Sequence, residues 1–148
     1  MKDYFPELTQ LTAFVGVAGG AFSAAIGGMD GVAKALVICM CIDWVLGMVD
    51  SLIFKASPKT ETGGYNSAIG FKGLVKKGII LIMVIVGNLL DTTLGTTFIR
   101  DGVAIAYLAN EVASIIENVG LMGIPVPAPL SAALDLLKKK GDKNNGGQ

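Results

Sequence analysis

Residues 8 to 29 run for 22 positions without a charge, and a helix needs about 20 apolar residues to cross roughly 30 Å of hydrocarbon. A chain carrying such a run is constrained to helices or a closed barrel, because lipid offers its backbone no hydrogen-bond partner. The rest of the composition agrees: 52% of the residues are hydrophobic and 16% charged, where a soluble domain carries about a quarter charged residues. We read an all-α integral membrane protein with four, or alternatively three, transmembrane helices and a short amphipathic cytoplasmic C-terminal helix. Within 148 residues such spans leave no room for an extramembrane enzyme domain. There is no His, so the commonest metal ligand and acid/base group is missing, and no catalytic residue, cofactor or metal is expected. The formal net charge of +0 provides no basic field for nucleic acid. The first residues, Met1 to Pro6, lack the features of a cleaved signal peptide, so insertion is expected to use an uncleaved first span.

The first span is placed at about 7–29, with Pro6 and Glu7 suited to a helix start. Gly16, Gly20, Ala24 and Gly28 recur every four residues and form a ridge of small side chains, with Gly19, Ser23 and Gly27 beside it. Such ridges let helix backbones approach closely in lipid. The contact is either with another span of the same chain or with a second copy; alternatively, so much glycine makes the segment weakly helical and loosely inserted.

A second span, 31–54, carries Lys34, Asp43 and Asp50. The two acids are seven residues apart and share a helix face with Gly47. Acids at membrane depth face a bundle interior or water. Cys39 and Cys41, the only cysteines, point about 200° apart on a helix and cannot bridge each other. The following loop, 55–77, holds Lys55, Lys59, Lys72, Lys76 and Lys77 against Glu61 alone, which assigns it to the cytoplasm. Its middle, 57–67, is rich in turn formers and is expected to be flexible. Lys72, Lys76 and Lys77 are expected to reach for lipid phosphates at the membrane surface.

A third span is placed at about 74–97 and a fourth at 102–122. On the fourth, Asn110, Glu111, Ser114, Glu117 and Asn118 fall with Tyr107 within an arc of about 120°. This polar stripe is either a hydrogen-bonding seam in a bundle, the lining of an oligomeric opening, or an ion or proton site. Pro125, Pro127 and Pro129 end the helix. The spans and loop make residues 1–129 a transmembrane domain, followed by a tail, 130–148. Leu130, Leu134 and Leu137 share one face of the tail, and Lys138, Lys139, Lys140 and Lys143 make it basic and therefore cytoplasmic. Gly141 to Gln148 is expected to be disordered. Four spans place both termini in the cytoplasm, with Lys34 the one awkward charge.

Three stretches carry a family resemblance: Ile42-Asp43-Trp44-Val45-Leu46-Gly47; Ile69 to Lys77; and Ala109 to Asn118 followed by Gly123-Ile124-Pro125-Val126-Pro127. Over roughly residues 30 to 137 the chain resembles the toxin-secretion/phage-lysis holins, although Trp44 and Leu46 depart from the family's usual Asp-Tyr-hydrophobic-Thr-Gly. The resemblance implies a phage or prophage protein of the bacterial inner membrane, active as a homo-oligomer in contact with lipid. It would open a path for an endolysin or a toxin, cargo that passes without specific binding. In that role the Gly16/Gly20/Ala24/Gly28 ridge packs helices, and the Asn110–Asn118 stripe with Asp43 and Asp50 becomes seam or lining. Two other classes fit the same composition. One is a small proton- or cation-coupled exporter using Glu111 or Asp43, and the other is a non-pore regulator such as an anti-holin.

Overall fold

The computed structural model describes residues 6–59 and 61–145, with side chains from Glu7 to Gly141 apart from Thr60. The expected absence of a cleaved leader at the extreme N-terminus, and the expected disorder of 146–148, lie outside the described residues. Among these residues all regular structure is helical: α1 (Pro6–Ala25), α2 (Gly31–Val49, continued by a π-helical turn Asp50–Phe54), α3 (Ser67–Leu94), α4 (Ile99–Leu121) and α5 (Ala128–Asn145).

Each boundary has a local chemical cause. Glycines with left-handed backbone, Gly27 (φ 81°) and Gly28 (φ 100°), end the first helical segment. Asp30 then opens α2 by accepting from the Ala33 N–H at 2.9 Å, as a side-chain oxygen at an N-cap does. Asn66 caps α3 in the same way, accepting from Ala68 at 3.0 Å and Ile69 at 3.3 Å. Helix α3 ends at Gly95, whose φ of 70° is the left-handed conformation glycine adopts freely.

Helices α1, α2 with its extension, and α3 are long and apolar enough to cross a membrane. Helix α3, at 28 residues and about 1.5 Å per residue, exceeds the hydrocarbon thickness and starts seven residues earlier than the sequence suggests. The lead-in at 70–77 is therefore part of the helix, because Asn66 supplies a cap that the lysines do not override. Helix α4 is not among the three apolar helices, and a fourth span does not follow from its composition.

Helix α4 packs against α2, α3 and α5 and is buried on several sides, through Ala104, Ile105, Leu108, Ala109, Glu111 and Asn118. The core is completed by Ile26, Leu36, Met40 and Val84. Shared contacts at Asp30–Arg100 and, further along, Asp43–Asn118 set α2 and α4 parallel. Helix α1 joins this bundle near Phe22 and Ile26, while its body from Glu7 to Ala21 is exposed.

Two expectations are corrected here. The Gly16/Gly20/Ala24/Gly28 ridge is not one helical stripe, because α1 stops at Ala25 and Gly28 lies beyond it with positive φ. A methyl group added at Gly16 or Gly20 would meet nothing within 4 Å among the described residues beyond its own helix. Nor does disorder begin at Gly141: α5 continues to Asn145 and runs back along α4. A methyl group at Gly141 would lie 3.6 Å from Ala106 Cα, in ordinary van der Waals contact. Lys138, Lys139 and Lys140 are exposed on this helix.

Candidate functional site

The site is built from one face of each of three helices. On α3 the buried positions Val84 and Asp91 continue at seven-residue spacing from Lys77, so all three share a face. That face turns Lys77 inward. Its Nζ donates to Asp43 Oδ2 on α2 at 2.8 Å and to Glu111 Oε2 on α4. Asn118 Nδ2, two turns further along α4, donates to Asp43 Oδ1 at 3.1 Å. The Lys77, Asp43 and Glu111 side chains are 12%, 16% and 8% exposed. One ammonium thus ties α2, α3 and α4 together through two acidic side chains.

Lys77 is therefore not a membrane-surface lysine. It reaches inward because the buried Glu111 and the largely buried Asp43 would otherwise lack a cation, and an unpaired buried charge is far costlier than a paired one. The seven-residue spacing with Asp91 is present in the sequence, but counting Lys77 with the basic loop 55–77 assigns it to the membrane surface. Lys72 and Lys76 are exposed, as surface residues would be.

The polar stripe of α4 is divided. Glu111 and Asn118 are buried, Ser114 is half-buried, and Asn110 and Glu117 are exposed. Ser114, Glu117 and Asn118 nevertheless line a cavity of about 120 Å³ together with Asp43, Gly47 and Asp50. This brings the predicted Asp43/Gly47/Asp50 face and most of the stripe to one place. Asp50 is 2% exposed, and neither its Oδ1 nor Trp44 Nε1 has a hydrogen-bond partner among the described residues. The loop contributes Ser57, Lys59 and Tyr65 to the cavity's lining. That loop folds back on itself, Ser57 N–H donating to Gly63 O at 3.2 Å.

A second charged centre lies at the opposite end of the bundle. Arg100, 7% exposed, donates from Nε to Ile26 O at 2.9 Å and from Nη2 to Gly28 O at 2.8 Å, and also pairs with Asp30 and with Asp101. Asp91 accepts from the backbone N–H groups of Ile99 at 3.1 Å and Arg100 at 2.9 Å, and from Thr96 Oγ1 at 2.6 Å. The Arg100 bond holds the Asp30 carboxyl below the usual carboxylate range, against the opposing effect of partial burial. Sequence reasoning gave Arg100 no role, since two of its partners are backbone carbonyls that no residue pattern reveals. Cys39 is half-buried and Cys41 exposed, and both are free thiols. Among the described residues no three His, Cys, Asp or Glu side chains converge to hold a metal.

Comparison with known proteins adds a family. Residues 20–139 match the model of the bacteriophage holin family. A protein of Listeria innocua printed as uncharacterized protein Lin0175 is 36% identical over 127 residues, covering 84% of this chain and 85% of its own. A Clostridium perfringens protein printed as uncharacterized 14.9 kDa protein in nagH 3'region is 42% identical over 76 residues, covering 50% of this chain and 58% of its own. The protein named probable holin of Bacillus phage phi105 is 26% identical over 109 residues, covering 73% and 75%. No solved structure matches.

Proposed function

The chain belongs to the bacteriophage holin family, and from that membership we propose that it acts as a holin in the bacterial cytoplasmic membrane. It accumulates there as the folded bundle, then oligomerises into openings through which an endolysin, or a large toxin, leaves the cytoplasm. The observation that carries this reading is the opposition between surface and interior. Large apolar side chains such as Phe14, Ile53, Phe71 and Leu89 are 57–72% exposed, whereas Asp43, Lys77, Glu111 and Asn118 pair with each other inside. Such a surface suits lipid or a neighbouring copy, and separating α2 from α4 would present acids and amides to water. The mechanism is a change of association and needs no catalytic step. Because Asp43 and Glu111 share Lys77, this arrangement favours a latch over the free coupling carboxylate of an exporter.

In this reading α4 is the fourth crossing and both termini are cytoplasmic. Helix α5 must then leave α4, because Gly141 sits beside Ala106 near the external end of that span, where the exposed tail lysines would lie alongside hydrocarbon. Released, Lys138–Lys140 meet anionic headgroups at the cytoplasmic surface. Induction in a bacterial host should kill on schedule and lyse cells only when an endolysin is co-expressed. Harmless accumulation without endolysin release would leave a non-pore regulator instead. The tail can be tested separately with Ala106→Cys/Gly141→Cys in a background lacking Cys39 and Cys41. The two Cβ atoms would be 3.9 Å apart, within the range of a disulfide. Oxidised, this variant should insert but fail to lyse, and reduction should restore lysis; lysis on the normal schedule while oxidised would remove tail release from the mechanism.

A further inference from the structure

The cavity at the loop end of the bundle has walls of unusual composition. Asp50 is almost completely buried and lines it, yet its Oδ1 has no partner among the described residues. A buried carboxylate without a donor is unfavourable, so the position calls for a ligand that brings donors and positive charge. Ser114 and Asn118 add neutral polar groups to the same wall, and Trp44 and Tyr65 add aromatic rings. The acids do not converge as a metal site requires, which directs the choice toward a cation that binds through N–H groups. Lys59, exposed to solvent, also lines the cavity and is the charge complement of a phosphate.

We propose that this cavity binds a primary ammonium group, held by Asp50 and Ser114 against the Trp44 ring. Three N–H donors satisfy a carboxylate and a hydroxyl together, and an aromatic face favours an alkylammonium. Trp44 Nε1, also buried without a partner, donates to an acceptor on the same ligand. Two sources supply this chemistry: the headgroup of an aminophospholipid, whose phosphate meets Lys59, and a soluble amine. The lipid source rests on α2 and α3 crossing the membrane as proposed above, because only then do the loop residues that line the cavity lie at headgroup depth. The ammonium site itself does not depend on holin activity.

Trp44 is the only tryptophan and lies in the cavity wall, so its fluorescence reports occupancy. The full chain, purified in a maltoside detergent and an amine-free sodium phosphate buffer, would be titrated with dihexanoyl phosphatidylethanolamine, dihexanoyl phosphatidylcholine, ethanolamine and sodium chloride. Saturable response to the ethanolamine lipid with weaker response to ethanolamine identifies the headgroup. Equal response to both identifies a soluble amine, and either outcome supports the site. The Asp50→Asn variant should bind about tenfold or more weakly, the loss expected for one charge-assisted hydrogen bond. The proposal is overturned if the choline lipid or sodium chloride is as effective, if Asp50→Asn binds normally, or if nothing responds. The four wild-type titrations decide the matter even if that variant does not fold.

Discussion

The bundle holds one buried cation at its middle and another at one end, and the two are built differently. Arg100 spreads its guanidinium over two carbonyls and two carboxylates, while Asp91 secures the backbone beneath it. Its planar fork suits several fixed acceptors at once. Lys77 offers a single ammonium to two acids on two helices, a pivot shared between them. The difference teaches that one end is a fixed joint between the α1–α2 turn and the α3–α4 turn, whereas the middle is a latch whose opening exposes polar groups to water.

The largest effect should come from the latch. Lys77→Leu leaves Asp43 and Glu111 buried without their cation, which costs about 3–5 kcal/mol. Thermal unfolding of the purified protein should fall accordingly, and lysis should come early. Replacing all three residues with Leu should recover most of that stability, since apolar packing replaces buried ion pairs well, yet abolish endolysin release. Release by the triple variant on the normal schedule would break the distinction between latch and joint.

The joint is next. A methyl group on Gly87 would lie 2.9 Å from Arg100 Cα, so Gly87→Ala must push α3 and α4 apart, at about 1–3 kcal/mol as overpacking usually costs. Stability should drop while lysis timing per folded molecule stays unchanged; a large timing shift would mean the joint also moves.

A smaller effect concerns pH. Asp30 has its carboxyl lowered by Arg100, so its contribution is complete above the unfolded carboxylate value of about 3.9 and is lost as pH falls through the lower folded value. The unfolding temperature should not respond to Asp30 between pH 7 and 5. Below about pH 4 it should fall more in the wild type than in Asp30→Asn; equal acid sensitivity in both would detach Asp30 from the joint.

The smallest effect on the fold belongs to Gly20→Ile. With nothing among the described residues within 4 Å of a methyl group at Gly20, its own helix aside, the bundle's unfolding should be unchanged. If α1 packs between copies, crosslinked oligomers should decrease and lysis should be delayed. Normal crosslinking and timing would confine α1 to anchoring.

What the sequence determined by itself is local or additive. Apolar length marks α1, α2 with its extension and α3 as membrane-competent, because transfer into lipid is a sum over residues, whereas the fourth span expected at 102–122 does not follow from it. Asn66, Gly95 and the prolines after Gly123 set helix ends through their own backbone and side-chain chemistry. The i, i+4 and i, i+7 spacings placed Asp43, Gly47 and Asp50 on one face, and that face does line the cavity. Tertiary structure alone decided the partners. Whether Lys77 seeks lipid phosphate or protein carboxylate depends on Asp43 and Glu111 arriving from helices 34 residues away on either side. Arg100 is bound by carbonyls more than 70 positions distant, and backbone oxygens carry no sequence signature. The division of the α4 stripe into buried and exposed members has the same origin: periodicity assigns residues to a face, but the neighbours packed around a central helix determine which of them meet water.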